Sequence, residues 1–287
     1  MAARTGTDVA KTPTTYQQPR VKSVKLARSS LFALCLAVAL PCMVQADELA
    51  DIKKAGSVNI GIFEDLPPFS SVGSDMKLQG YDIDMANAIG TALGVKVNLV
   101  PITGKTRIAA LQAKKVSVLV SLGYSAERAK ALDFTESYAP YYVAILGPKA
   151  LAVTGPADLK GKSVGVNRGT LDDTMLTEAA PPGTDIKRFD SYNGVISAFL
   201  AGQVQTIVVG NDVGGAVIAR KPSIEPEQKF ILLSSPNHMG VNLGETGLKT
   251  ALNDMIAKML ADGSLNKISV QWLQKPIDPK DLVEPNG

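Results

Sequence analysis

The fold is decided between residues 58 and 100, where the chain reads VNIGIFEDLPPFSSVGSDMKLQGYDIDMANAIGTALGVKVNLV. The apolar residues at its start favour a buried strand. Apolar side chains then recur at helical spacing over 81–93, and Gly94 is a typical helix terminator. Positions 95–100 alternate between apolar and polar side chains, which predicts a second strand. A strand, a helix and a strand in this order predict a parallel α/β sheet.

The same alternation of strands and helices continues along the rest of the chain. Runs of β-branched and other apolar residues predict the strands, and apolar residues at helical spacing predict the helices. The later predicted elements are strands at 116–120, 162–166, 187–189, 206–209, 230–233 and 239–243, helices at 107–114, 171–179 and 192–201, a helix that ends at 220, and two helices within 247–273.

The rhythm restarts after residue 150, so the chain contains two consecutive α/β units. Turns at the carboxyl ends of their strands predict two lobes that face each other across a cleft. The connecting stretches 141–146 and 230–233 are strand-like and contain no Gly/Ser linker, which favours a two-stranded hinge. The predicted boundaries are 47–141 and 234–287 for lobe 1 and 142–233 for lobe 2.

Composition and charge exclude several classes of protein. The chain has 287 residues, of which 45% are hydrophobic and 20% are charged, which excludes intrinsic disorder for most of it. Its net charge of +3 is uneven, because residues 1–46 carry six basic side chains and one acidic one. The remainder has 24 basic and 26 acidic residues. We therefore expect no basic face and no nucleic-acid partner.

The first 46 residues have the pattern of an export signal. Basic residues precede the ten-residue apolar run 31–40, and the small residues Val44 and Ala46 come before Asp47. This pattern predicts a secretory signal peptide that is cleaved after Ala46. The alternative is a membrane anchor, which needs about 20 apolar residues. Residues 1–20 do not fit a signal peptide, which favours a true start at Val21.

Cysteine usage indicates the compartment. Cys35 and Cys42, the two cysteines of the chain, both lie in the predicted signal peptide. The exported chain therefore has no disulfide, no thiol chemistry and no cysteine–metal site. An exported core of this size without disulfides is typical of a bacterial periplasm.

A series of motifs follows in a fixed order over about 50–275. They are Gly61-Ile62 with Pro67-Pro68-Phe69, Gly80-Tyr81-Asp82-Ile83-Asp84-Met85-Ala86, Arg107-Ile108, Ser125-Ala126-Glu127-Arg128-Ala129-Lys130, Asp133-Phe134-Thr135, 159–166, Arg168-Gly169-Thr170 and 259–268. In this order they resemble bacterial extracellular solute-binding proteins of family 3, the polar amino-acid-binding proteins of ABC importers. The resemblance implies an α/β fold of two lobes, a periplasmic-binding-protein clamshell in which each lobe is a sheet flanked by helices and a two-stranded hinge joins them. It also implies that the protein delivers a ligand to the membrane subunits of an ABC permease.

Arg128 is the first candidate ligand contact. It follows a strand and lies in the first turn of a predicted helix, where its guanidinium and free N–H groups favour a carboxylate. The resemblance implies that it holds the α-carboxylate of the ligand. The alternative is a surface salt bridge with Glu127 or Asp133.

Gly169 and Thr170 are the predicted counterparts of Arg128 in the second lobe, and Ser121 is a further predicted contact. Gly169 permits a close backbone approach, and Thr170 caps a helix whose first N–H groups face the cleft. The alternative is an ordinary helix cap. Ser121 matches a hydrogen-bonding position of the family, and the alternative for it is a buried serine whose hydroxyl is satisfied by backbone.

Departures from the family pattern leave the ammonium side of the site open. The acid that usually contacts the α-ammonium aligns with Gly210, so Glu64, Asn211 or Asp212 would have to supply this contact. Leu66 and Gly104 stand where the family often has aromatic residues, and Gly123 stands where it has Thr or Ser. The ligand is therefore predicted to be an amino acid or, as second choice, a carboxylate without an α-ammonium. The predicted ligand-binding residues are Phe63, Glu64, Leu66, Ser121, Gly123, Tyr124, Arg128, Arg168, Gly169, Thr170, Leu171, Asn211 and Asp212.

The resulting prediction is a monomeric periplasmic binding protein without a cofactor or metal, and not an enzyme. One alternative is an enzyme like the cyclohexadienyl dehydratase that shares this scaffold, with Glu64 or Asp172 as the acid. The other is a sensor that signals to a separate receptor. His238, the single histidine, is predicted to be structural or at the surface.

Overall fold

The computed structural model describes residues 48–283 together with Thr15. The predicted signal peptide, its cleavage after Ala46 and the start at Val21 lie outside the described residues. In the described part of the chain, every helix is too short or too polar to cross a membrane.

Helices and strands alternate as the periodicity predicts, and most predicted elements are present with ends shifted by at most four residues. The helices are α1 Glu48–Ala55, α2 Tyr81–Leu93, α3 Arg107–Gln112, α4 Leu171–Ala179, α5 Tyr192–Leu200, α6 Asn211–Ala219, α7 Thr246–Ala261 and α8 Ser264–Leu273. The strands are β1 Ser57–Ile62, β2 Asp65–Leu66, β3 Ser70–Val72, β4 Leu78–Gln79, β5 Lys96–Pro101, β6 Val118–Gly123, β7 Leu132–Ala139, β8 Tyr142–Pro148, β9 Ser163–Asn167, β10 Asp185–Phe189, β11 Thr206–Gly210, β12 Pro226–Ser234 and β13 Asn237–Asn242.

The first lobe is built on a five-stranded sheet in the order β5-β1-β6-β13-β7. β5, β1 and β6 are parallel, as the opening βαβ pattern predicts. The expectation of a parallel sheet holds for these three strands, whereas β13 pairs antiparallel with both β6 and β7. The strand before β13 belongs to the other sheet, and two residues separate them, so β13 enters this sheet directly from the second lobe and not through a crossover helix.

The second lobe repeats this plan in the order β10-β9-β11-β8-β12. β9, β10 and β11 are parallel, and β8 lies antiparallel between β11 and β12. α4 and α5 pack on β9, and α6 packs on β8. The chain crosses between the sheets twice, between Ala139 and Tyr142 and between Ser234 and Asn237. The exact lobe boundaries at 141/142 and 233/234 stay a prediction.

The loops that follow β1 and β6 face α4 and α5 of the other lobe. The segment after β1 folds back as a small three-stranded sheet, β2-β3-β4, which leads into α2. Gly80 is required at this entry, because its φ is +137° and a Cβ there would lie 2.2 Å from the carbonyl oxygen of Phe69. All six residues of β6 are buried, so its carboxyl end is fixed where the two lobes meet.

Candidate functional site

A small cavity lies between the two lobes at the ends of these strands. Its volume is about 10 Å³, which is about the room of one water molecule. An amino acid can occupy this place only if the lobes part or the lining side chains move. The lining residues are Leu66, Arg107, Ser121, Gly123 and Asn237 from the first lobe or its sheet, Thr170, Leu171, Asp172 and Tyr192 from the second, and Tyr141 from the crossing segment.

Two glycines let the lobes approach each other so closely. A Cβ on Gly123 would lie 2.4 Å from Cδ2 of Leu171, and a Cβ on Gly104 would lie 2.4 Å from the carbonyl oxygen of Arg168. Both positions depart from the family pattern in sequence. A larger side chain at 104 would hold the lobes apart, because it meets backbone, whereas one at 123 would first displace the side chain of Leu171.

The lobes also touch directly at the start of α5. The backbone N–H of Asn193 donates to Oδ2 of Asp65 at 3.0 Å, which places a carboxylate at the positive end of a helix in the other lobe. The buried ring of Phe63 meets the ring of Tyr192 edge to face, with centroids 5.8 Å apart. These contacts stabilise a closed arrangement.

Arg128 spans the boundary of the lobes. Its Nη1 donates to the carbonyl oxygen of Gly123 at 2.9 Å, and its Nη2 to that of Gly169 at 3.4 Å. Desolvation and, second, the positive charge of Arg107 lower the pKa of Arg128 to about 9. An α-helix was expected at this position, but the structure has a 3-10 turn, Arg128–Lys130. Neither Glu127 nor Asp133 forms an ion pair with Arg128 in the described residues.

Ser121 belongs to a buried polar network beneath the cavity. Its Oγ donates to Oδ2 of Asp82 at 2.5 Å, and Tyr138 donates to the other oxygen at 2.7 Å. The hydroxyl of Ser121 is thus satisfied by a carboxylate, and not by backbone as the alternative held. Desolvation raises the pKa of Asp82 to about 7, although both hydrogen bonds oppose the shift. Ser121 has a φ of +50°, a strained conformation that costs about 1–3 kcal/mol and is concentrated at functional sites.

Arg107 lines the cavity, although the sequence analysis did not count it as a site residue. It is 2% exposed, and its Nη1 donates to the carbonyl oxygen of Ser121 at 3.2 Å. Its guanidinium lies 5.5 Å from the centre of the Phe63 ring. Nε of Arg107 is buried without a hydrogen-bond partner. Desolvation lowers the pKa of Arg107.

Asp172, the second residue of α4, supplies the carboxylate of the cavity. It is 1% exposed and accepts hydrogen bonds from the hydroxyls of Tyr141 at 3.2 Å and Tyr192 at 3.1 Å. Desolvation raises the pKa of Asp172 to about 6, while these hydrogen bonds and the charges of Arg107 and Arg128 oppose the shift. Of the two acids named for the enzyme alternative, this one lies in the cavity.

The space left by Gly210 is occupied by Tyr141. A Cβ on Gly210 would lie 2.2 Å from Cε2 of that ring. Because residue 210 has no side chain, the ring of Tyr141 can lie against it and donate its hydroxyl to Asp172. Sequence spacing alone could not find it, because Gly210 and Asp172 lie on different elements.

Other predicted residues lie in the cavity wall or beside it. Thr170 caps α4 by accepting from the N–H of Asp173 at 3.4 Å, and it is 2% exposed. Gly169 adopts a φ of +72°, and its carbonyl receives Arg128. Leu66 and Leu171 are buried apolar lining.

Eight predicted contacts are not part of the cavity lining: Phe63, Arg128 and Gly169, described above, and five others. Glu64 is exposed. Tyr124 is 42% exposed and packs on Phe134, with ring centroids 5.2 Å apart. The side chain of Arg168 is 43% exposed and pairs with Asp190 at 3.1 Å. The two remaining residues are Asn211 and Asp212.

Asn211 and Asp212 begin α6 and lie behind the cavity. Oδ1 of Asn211 accepts from the N–H of Tyr142 at 3.2 Å, beside a separate pocket of about 230 Å³. Oδ2 of Asp212 is buried without a hydrogen-bond partner, and desolvation raises the pKa of Asp212 to about 6. The charge of Lys275 opposes this shift.

His238 has a structural place, as predicted. It is buried in β13, with Nδ1 2.7 Å from the carbonyl oxygen of Thr135 and its ring edge to face with Phe134.

Two α/β lobes that close on a small polar cavity, with two adjacent strands carrying the chain between them, define a solute-binding clamshell. The model of the bacterial extracellular solute-binding proteins, family 3, matches residues 58–275. The chain therefore belongs to this family.

Individual relatives and solved structures cover most of the chain. The L-cystine-binding protein TcyJ of Escherichia coli (strain K12) is 28% identical over 88% of this chain and 97% of its own. The L-arginine-binding protein of Pseudomonas aeruginosa is 32% identical over 75% of this chain and 87% of its own. The crystal structure of the cysteine-binding protein from Campylobacter jejuni is 25% identical over 83% of this chain and 100% of its own, with a TM-score of 0.76.

Proposed function

We propose that this protein is the solute-binding component of an ABC transporter, which binds an amino acid or related small carboxylate between its lobes. Membership of family 3 and the likeness to proteins named for cystine, arginine and cysteine support this role. The observation that carries the ligand assignment is the guanidinium of Arg128, whose partners are carbonyl oxygens on both sides of the cleft. A carboxylate is a stronger partner for this group, because the hydrogen bonds are then charge-assisted and bidentate.

Binding acts by shifting a population between open and closed lobes. A ligand that contacts Arg128 on one side and the start of α4 on the other is bound more tightly by the closed form, so it stabilises that form. The membrane permease then recognises the closed protein. Phe63, Gly123 and Leu171 complete the proposed site around the ligand.

The compartment and partners follow from the same role. We place the protein in the periplasm, exported by the signal peptide that is predicted to end at Ala46. It works as a monomer without a cofactor, and its macromolecular partners are the membrane subunits of the permease. Lobe 1 comprises 47–141 and 234–287, and lobe 2 comprises 142–233.

Isothermal titration calorimetry of residues 47–287 against a panel of amino acids and small carboxylates tests the proposal. We expect Arg128→Ala to lower the affinity for the tightest ligand at least 100-fold, because charged hydrogen bonds contribute about 1.5–3 kcal/mol each. Arg168→Ala is the matched control, since that side chain pairs with Asp190 away from the cavity. Its affinity should stay within threefold of the parent.

Equal affinities for Arg128→Ala and the parent protein would contradict the carboxylate assignment. A folded parent protein that binds no member of the panel would contradict the proposed function itself.

A further inference from the structure

Two cationic side chains and one anionic one lie at the cavity or beside it. Arg107 lines it from the first lobe and Asp172 from the second. Arg128 lies beside it, where it donates to the carbonyl of the lining residue Gly123 and, across the cleft, to that of Gly169. The negative charge of Asp172 attracts each arginine, and the positive charge of Arg107 repels that of Arg128. The site therefore carries one uncompensated positive charge when all three groups are ionised.

Arg107 is the unusual member of this set. The ion pairs of the described residues do not include it, and its guanidinium donates only to the backbone carbonyl of Ser121. Its Nε is buried without a partner. A buried charge without a counter-ion is costly, so such groups are normally paired. A guanidinium left in this state beside a cavity is suited to receive an anion from a ligand.

We propose that the ligand carries two carboxylates and one ammonium group, as an acidic amino acid does. Arg128 binds the α-carboxylate, Arg107 binds the side-chain carboxylate, and Asp172 binds the α-ammonium. This assignment rests on the proposed function, because it takes Arg128 as the α-carboxylate contact. The net charge of such a ligand, −1, balances the excess charge of the three groups.

The two arginines are suitably spaced for one small ligand. They donate to the carbonyls of Ser121 and Gly123, which are two residues apart on β6. Ser121, which supplies the first of these carbonyls, has a left-handed φ of +50°. A short carbon chain between two carboxylates can therefore reach both guanidinium groups.

Asp172 can accept an ammonium group while it keeps its present partners. Each of its oxygens accepts one tyrosine hydroxyl, from Tyr141 or Tyr192. A carboxylate oxygen has two lone pairs, so each oxygen has acceptor capacity left. The tyrosines hold the carboxylate in place and cannot neutralise a charge, which leaves that task to the ligand.

Other ligand charges fit this site less well. A basic amino acid would add positive charge to a site that already has an excess of it. A neutral amino acid would leave one buried arginine without a counter-ion. Asp82 does not supply that counter-ion, because its oxygens are held by Ser121 and Tyr138 and its charge is not among those that act on Arg107.

Calorimetry with paired ligands tests the inference on residues 47–287. L-glutamate is compared with L-glutamine, L-aspartate with L-asparagine, and both acids with L-arginine and L-cystine. We expect one of the acids to bind at least 100-fold more tightly than its own amide and than the two other ligands. Tighter binding of an amide, of arginine or of cystine would overturn the inference, and the proposed function would stand if Arg128→Ala still removed that binding.

Arg107→Gln then identifies the residue that selects the acid. The ratio of acid to amide affinity should fall from at least 100 to below ten, while Arg188→Gln should keep the parent ratio. Arg188 is the matched control because it is a partly buried arginine that pairs with Asp173 outside the cavity lining. An unchanged ratio in folded Arg107→Gln would overturn the role of Arg107. If that variant does not fold, the ratio of the parent protein still decides whether the ligand has two carboxylates.

Discussion

The two walls of the cavity differ in charge and in how they are built. The first-lobe wall carries Arg107 and Arg128, and both donate to carbonyls of the buried strand β6. The second-lobe wall carries Asp172 at the start of α4, where two tyrosine hydroxyls hold it. A rigid strand therefore fixes the cations, and a helix terminus with an aromatic support fixes the anion. A zwitterionic ligand that bridges both walls satisfies groups that neither lobe satisfies alone.

Of the changes considered next, removal of the anion from the second wall should lower the affinity for the ligand most. Asp172→Asn keeps the shape and removes the charge, so we expect the affinity for an amino-acid ligand to fall about 100-fold. Calorimetry measures the loss. Glu64→Gln serves as control, because Glu64 was a candidate for the ammonium contact and is exposed. A larger loss in Glu64→Gln than in Asp172→Asn would place the ammonium elsewhere.

The pH dependence of binding should report on the same carboxylate. The pKa of Asp172 is raised from 3.8 to about 6, so lowering the pH through 6 protonates the group and removes the partner of the ammonium. We expect the affinity to fall by up to about tenfold per pH unit below pH 6. Arg107, Arg128, Tyr141 and Tyr192 are the other titratable groups that face it, and they keep their charge states in this range.

Asp82 also titrates near this range, so the Asp172→Asn variant is needed to separate the two groups. The slope should disappear in Asp172→Asn if Asp172 causes it. The stability of the empty protein depends on pH in the opposite direction from the affinity, because a raised pKa of Asp172 stabilises the folded state at low pH. That contribution is complete below about pH 4 and is lost as the pH rises through 6.

Widening the gap between the two walls should lower the affinity for the ligand less. In Gly104→Ala the new Cβ meets the backbone oxygen of Arg168, which cannot move as a side chain does. We expect about a tenfold loss of affinity and a larger radius of gyration with ligand, measured by small-angle X-ray scattering. Gly155→Ala has no atom within 4 Å of its new Cβ and should match the parent. Equal compaction of both variants would show that contact at 104 does not limit closure.

The smallest effect is expected at Asp212, which the sequence offered as an ammonium contact. It is outside the cavity lining, so Asp212→Asn should change the affinity less than threefold. The empty variant should be at least as stable as the parent at pH 8, because burial without a hydrogen-bond partner disfavours the ionised oxygen. Thermal unfolding and calorimetry check both statements. A loss of tenfold or more in affinity would show that α6, and not α4, supplies the ligand contact of the second lobe.

The sequence was sufficient to predict most helices and strands, because each of these elements has its own local periodicity of apolar residues. The helix predicted at 171–179 is α4 with the same ends, and the opening βαβ unit is present. The short strands β2, β3 and β4 have only two or three residues each, which is too few for a period to be recognised. The antiparallel entry of β13 depends on the chain's return from the other lobe, which no local pattern encodes.

The motifs predicted candidate contacts one residue at a time. Arg128 and Gly169 were named in this way, and the structure places them in contact across the cleft, although the helix expected after Arg128 is a 3-10 turn. Arg107 was quoted as part of a motif, yet nothing in its sequence context reveals that its Nε is buried and unpaired. In our proposal Asp172 takes the place of the acid that is missing at Gly210, and the packing of Tyr141 between the two residues is visible only in three dimensions.

A crystal structure of residues 47–287 with the acidic amino acid that binds most tightly would show which group of the ligand each side chain binds. We expect the α-carboxylate on Arg128, the second carboxylate on Arg107 and the ammonium within hydrogen-bond distance of Asp172. A ligand whose ammonium lies on Asp212 or Glu64, with Arg107 still bound only to the carbonyl of Ser121, would contradict this expectation.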